Sequence, residues 1–228
     1  MLPLPLYNKE ERDTINIMNK NERFVITINR ELGSGGRTVG RILAEKLGVP
    51  YYDKAIQKPL EEKFNMTSEE IEHLKGNNRS WWEDFKRVLI LGESAANSFD
   101  YYDEERKELL TSEAVLKAEK EILYSIAIEE SCVIAGRSAF FALNGYPNHL
   151  SVLIQASLNY RVKRLMDKRS ISEKEAKKII KEVDETREEY LKNNAHTSRY
   201  DTRNYDLVIT MDGKTEEEAA NVILAYIG

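Results

Sequence analysis

One stretch constrains this chain more than any other: a short strand that runs into a glycine-rich turn and then into a helix. Phe24 to Leu47 reads FVITINRELGSGGRTVGRILAEKL. Phe24 to Ile28 is a run of β-branched and aromatic residues, which suits a buried strand better than a helix of so few residues. Beyond the glycines, Val39, Ile42, Leu43 and Leu47 recur at helical spacing. The first turn of such a helix leaves backbone N–H groups unpaired and carries the positive end of the dipole, so it can hold an anion.

Gly33, Ser34, Gly35 and Gly36 let the backbone curl so that successive N–H groups point inward. Arg37 and Thr38 then stand where a cation and a hydroxyl would meet phosphate and magnesium. The stretch resembles the phosphate-loop pattern GxxxxGK[ST] with two departures: Arg37 stands for the lysine, and the first glycine falls on Glu31. A plain tight connection is the alternative reading. Arginine keeps the charge but is a planar fork and not a point charge. Glu31 would repel a triphosphate unless it pairs with Arg30 or helps hold a metal.

Any anion site must be local, because the 228-residue chain carries a net charge of −5 and a pI near 5.5. That balance argues against a partner such as a nucleic-acid polymer or an anionic membrane. The length suits one well-buried core with a small inserted lobe. The single cysteine, Cys132, lies in the apolar CVIA and rules out an intrachain disulfide or a cysteine-rich zinc site. No apolar run approaches the ~20 residues needed to span a bilayer, and the MLPLPLY start is not a signal peptide. The default location is the cytoplasm.

In chain order, residues 1–22 are read as a polar N-terminal extension and 23–228 as a single domain. Gly48 to Asp53 reads as a turn, a short strand and an acidic end, and Asp53 either approaches the cradle's ligand or caps the next helix. Residues 54–103 read as a helical insertion, with Trp81 and Trp82 at helical spacing, either packed or stacking on a base. Leu109 to Glu130 is predicted as a long helix with Val115, Ala118, Ile122 and Ile126 on one face. Three further strands follow, Ser131 to Arg137, His149 to Ile154 and Asp206 to Thr210, and Thr215 with Glu218 caps the last helix. Strands alternating with helices call for α/β architecture with a parallel sheet covered on both faces.

Basic residues gather between the last two strands, in a region spanning 157–203. On the helix from Ser157 to Arg169, Arg161, Arg164 and Lys168 recur along one side, either as a solvated face or as a clamp over phosphates. Ser172 with Glu175 caps a second helix whose apolar stripe includes Arg187, three residues after Asp184. A charge on an inward stripe needs a partner; a local Asp184–Arg187 salt bridge is the simplest one.

Taken together, ITINRELGSGGRTVGRILAEKLGVPYYDK, VIAGRSAF, LIQASLNYRVKRL to VDETREEY, and NYDLVITMDGKTEEEAANVI resemble the cytidylate kinase-like family, a branch of the P-loop nucleoside monophosphate kinases. The resemblance implies a P-loop kinase three-layer sandwich with a parallel central sheet, a helical monophosphate-binding insertion and a helical lid. It implies that Gly33 to Thr38 hold ATP and that Thr38 ligates Mg2+. Asp53, Arg137, Ser138 and Asp184 would serve the acceptor, while Arg37, Arg161, Arg164 and Arg187 would supply catalytic charge. Cytidylate kinases have Asp where this chain has Ser138 and keep lysine in the loop. The expected activity is Mg-ATP-dependent phosphoryl transfer to a small-molecule acceptor, CMP or dCMP first. A nucleotide-binding sensor or assembly module is the alternative, and homo-oligomerisation stays open.

Overall fold

A computed structural model describes residues 18–53, 112–136 and 138–228. The extension up to residue 17, the expected insertion with Trp81 and Trp82, and Arg137 lie outside the described residues. Five strands form one parallel sheet: β1 (Val25–Arg30), β2 (Tyr51–Asp53), β3 (Cys132–Ala135), β4 (His149–Gln155) and β5 (Leu207–Thr210), in the spatial order β2-β3-β1-β4-β5. β1 pairs with β3 on one side, Val25 opposite Cys132, and with β4 on the other, Val25 opposite His149. The winding therefore reverses across β1. Ligands of open parallel sheets bind outside the carboxyl ends of the strands at such a reversal.

The two faces of the sheet follow the period-two alternation of β1. Ile26 and Ile28 face a core completed by Val39 and Leu43 of α1 (Gly36–Leu47) and by Ala219, Ala220 and Ile223 of α6 (Glu216–Tyr226). Val25 faces the other way, toward Ala118, Leu123 and Ala127 of α2 (Ser112–Glu129) and Ala139 and Ala142 of α3 (Ala139–Ala142). The buried centre of α2 thus runs along Ala118, Leu123 and Ala127, and the expected Ile122 and Ile126 flank it, half-buried. Val115 lies among the side chains left undescribed. Cys132 is fully buried in this second core, and burial pushes its thiol up to about 12.

The expected lid is a helical hairpin with its own core. α4 (Leu158–Arg169) contributes Val162 and Leu165, and α5 (Glu173–Ala195) contributes Ala176, Ile179, Ile180 and Val183. Both helices are capped where the sequence indicates: the Ser157 hydroxyl accepts the Tyr160 N–H, and the Ser172 hydroxyl accepts the Glu175 N–H. Thr215 and Glu218 make a complete reciprocal capping box on α6. At the N-terminal side, Met18 is buried in the first core, and the Asn19 N–H donates to Asn148 Oδ1 at 2.9 Å.

Candidate functional site

The loop that joins β1 to α1 is built by local sequence. Gly33 and Gly35 take φ of 85° and 91°, which favour glycine. A Cβ on Gly33 would lie 2.8 Å from the Arg161 carbonyl oxygen, so backbone bars any side chain there. Ser34 is fully buried and donates its hydroxyl to the Glu31 carbonyl at 2.9 Å, closing the turn from inside. The N–H groups of Thr38 and Val39 turn back onto the Gly35 carbonyl at 2.9 and 3.1 Å. Those of Gly36 and Arg37, the first two residues of α1, have no intrahelical acceptor and lie at the positive end of the helix.

Two carboxylates near the loop are engaged by arginines. Asp53, at the end of β2, lies 3.2 Å from Arg30 Nη2 and 2.6 Å from Arg37 Nε, tying the strand end to the first turn of α1. Glu31 does not pair with Arg30, the partner considered for it. Its carboxylate accepts the Ala156 N–H at 3.0 Å and lies 3.6 Å from Arg161 Nε. Those contacts compensate its charge from the side of β4 and α4, although Glu31 still borders the cleft in front of the loop.

Asp184 is the centre of a buried network. It accepts the Leu32 N–H at 3.1 Å and a bond from Arg161 Nη1, with Arg199 Nη1 at 3.5 Å and Arg187 Nη1 at 3.7 Å. The local Asp184–Arg187 pair is therefore present, but as one member of a larger set. Arg199 is only 1% exposed and also donates to the Arg30 carbonyl. The Leu32 side chain packs into the hairpin core of α4 and α5. Helix α5 thus holds the loop by both an N–H and a side chain. Nothing in the sequence marks Arg199, which lies in a segment without periodicity; its partners come from β1 and α5.

A cleft opens in front of the loop at the carboxyl ends of the strands. Among the described residues six basic side chains line it, Arg30, Arg37, Arg164, Lys168, Arg169 and Arg187, with Glu31 the one acidic residue. Arg164 is ion-paired with Glu216. Arg169 Nη1 is buried with no hydrogen-bond partner among the described residues. Burial pushes Arg187 down to about 9, reinforced by Arg199 and Arg30, and pushes Arg30 down to about 10, partly opposed by Asp53. Lys168 and Arg169 are also lowered, by burial first and then by Arg164 and Arg37 respectively. Desolvation is the first cause of each shift and neighbouring cations add to it, so an anion bound in the cleft would offset both.

Of the residues singled out from sequence, Gly33, Gly35, Gly36, Arg37, Thr38, Arg164 and Arg187 line this cleft together. Arg161 and Asp184 do not line it; they meet each other behind the loop, beside a shallower groove between α4 and α5. Ser138 stands just past the end of β3 at φ 55°, an uncommon conformation for a residue other than glycine. Among the described residues there is no cluster of three or more His, Cys, Asp or Glu side chains able to hold a metal ion. The Thr38 hydroxyl, in the first turn of α1, is the group in the cleft lining that would be available to a magnesium ion.

A sequence model of the cytidylate kinase-like family matches residues 25–213. The chain belongs to the cytidylate kinase-like family. The match runs from β1 through β5 and takes in the loop, the cleft and the α4–α5 hairpin, which makes the chain kinase-like with a P-loop nucleotide-binding fold. No curated protein matches it significantly. Among solved structures it is similar to an uncharacterized protein from Eubacterium ventriosum, at 25% identity and a TM-score of 0.61, over 90% of this chain and 98% of that one. It also aligns with a sugar kinase from Janibacter, at 13% identity and a TM-score of 0.48, over 90% of this chain and 95% of that one. Shikimate kinase from Bacteroides thetaiotaomicron aligns at 16% identity and a TM-score of 0.44, over 88% of this chain and 95% of that one. Among the described residues no helix is long and apolar enough to cross a membrane.

Proposed function

We propose that the chain is a Mg-ATP-dependent phosphotransferase that moves the γ-phosphoryl group to a nucleoside monophosphate, with CMP or dCMP the first candidates. The observation that carries this reading is the concentration of six cations around a glycine loop in a chain of net charge −5. Phosphoryl transfer asks the protein mainly to position two substrates and to neutralise charge on the transferred group. In this reading the Gly33–Thr38 loop holds the ATP phosphates and Arg37 exchanges Asp53 for the β- and γ-phosphates. Thr38 would hold magnesium, which would supply neutralising charge at the phosphates.

The acceptor binds on the side of Asp53 and Ser138, with Arg137 assigned to it by the family resemblance alone, and its phosphate oxygen attacks the γ-phosphorus as the bond to the departing ADP oxygen breaks. Arg164 and Arg187 complete the charge around the transferred group. Arg161 and Asp184 act from behind, by holding the loop entry. A nucleotide-binding sensor or assembly module draws on a different observation, the 2.6 Å Arg37–Asp53 pair, which keeps the loop arginine occupied.

ADP release from Mg-ATP, measured with CMP, dCMP, UMP, AMP and GMP, separates the two. The enzyme reading expects one acceptor to raise release selectively and Arg37→Ala to lower kcat/KM by about a hundredfold, the usual loss on removing one charge-stabilising donor. A flat panel, with ATP still raising the melting temperature, selects the binding module.

A further inference from the structure

The loop can be set against GxxxxGK[ST] in a second register, one residue earlier, which places the first glycine of the pattern on Arg30 and the lysine on Gly36. In that register the glycine and the cation have exchanged places. The structure supplies a physical reason to take the exchange seriously. β1 ends at Arg30 and α1 opens on Gly36, so the two are the strand-end and helix-start residues that the pattern joins. A Cβ on Gly36 would lie 2.6 Å from Arg30 Cβ and 3.2 Å from Ile154 Cβ, so a lysine at 36 and an arginine at 30 exclude each other.

A second glycine clears the other end of the same side chain. A Cβ on Gly136, just past β3, would overlap the Arg30 guanidinium, and its φ of 80° independently favours glycine. Arg30 therefore runs in a channel between two glycines, its side chain 12% exposed, with Asp53 steering its head at 3.2 Å. It emerges in the lining of the cleft, between the loop and the strand ends on the Asp53 side. Arg37 lines the same cleft but is half-exposed, where Arg30 is held between two glycines.

We propose that Arg30 is the phosphate-binding cation of the loop, standing in from the strand end for the lysine that Gly36 has given up. This rests on the phosphate-site reading above and deepens it. Arg30 lies where the terminal phosphate of a polyphosphate meets the acceptor side, so it contacts the end of the phosphate chain distant from the nucleoside.

The test is calorimetric titration of the full chain with Mg-ATP and, separately, with magnesium tripolyphosphate. Arg30→Met keeps the stem over Gly36 and removes the charge; it is expected to weaken both ligands at least tenfold with the melting temperature held within a few degrees. The double variant Arg30→Gly/Gly36→Lys returns the cation to the helix start and is expected to recover binding to within about threefold of wild type. Unchanged binding by Arg30→Met overturns the proposal, as does a double variant that folds but stays as weak as the single one. Tripolyphosphate binding that depends on Arg30, without ATP binding, keeps the proposal and overturns the nucleotide reading. Binding of neither ligand by wild type overturns both.

Discussion

Arg187 is held beside Arg199 and Arg30 with Asp184 as its nearby carboxylate, and burial is the main reason its pKa falls to about 9. A depressed base is one whose charge a bound anion would stabilise, so Arg187→Met is expected to weaken Mg-ATP at least tenfold in calorimetric titrations, and unchanged binding would place Arg187 outside the phosphate site. The stability sign follows from the same shift: the charged side chain opposes folding, and that penalty is relieved as pH rises. Cys132 makes a separate prediction. Fully buried, with a thiol pushed up to about 12, it should not react with a disulfide reagent at pH 8 until the protein unfolds; rapid reaction in the native state would contradict the packing. At this scale the loop glycines, Arg37 and Thr38 were legible, because their pattern is local. The partner of Glu31 was not, since Arg161 and the Ala156 N–H reach it only through the fold.

Elements meet through the network at Asp184, which joins α5 to the Leu32 N–H and gathers Arg161, Arg187 and Arg199. Removing one partner of a buried charge set leaves the others uncompensated. Asp184→Ala should cost about 3–5 kcal/mol in urea unfolding, while Thr215→Ala, which removes only a cap on α6, should cost about 1 kcal/mol. Equal costs would mean that the network at Asp184 is solvated and weak. Strands β1, β3, β4 and β5 were readable as β-branched runs, and the caps at Ser157, Ser172 and Thr215 as short-range patterns. The tie between Leu32 and Asp184 spans 152 positions and leaves no periodic trace. Arg161 looked like one of a row of surface cations on α4, yet the hairpin turns it inward onto Asp184 and Glu31.

Across the whole molecule, alternation of strands and helices foretold a parallel sheet, and the order β2-β3-β1-β4-β5 adds the reversal across β1 that opens the cleft. Strand order is a tertiary property, so the sequence pattern constrained it only through the family resemblance. The cleft concentrates cations in a chain of net charge −5, so the field that attracts phosphate is local and short-ranged. If the glycine loop in this cleft holds polyphosphate, calorimetric titration of Mg-ATP into the full chain and into Gly33→Ala will differ, because that variant's Cβ would meet the Arg161 carbonyl at 2.8 Å with φ at +85°. One ATP site in wild type, weakened at least tenfold by Gly33→Ala while the variant stays folded, is the predicted result. No binding by wild type, or equal binding by a folded Gly33→Ala, would contradict it.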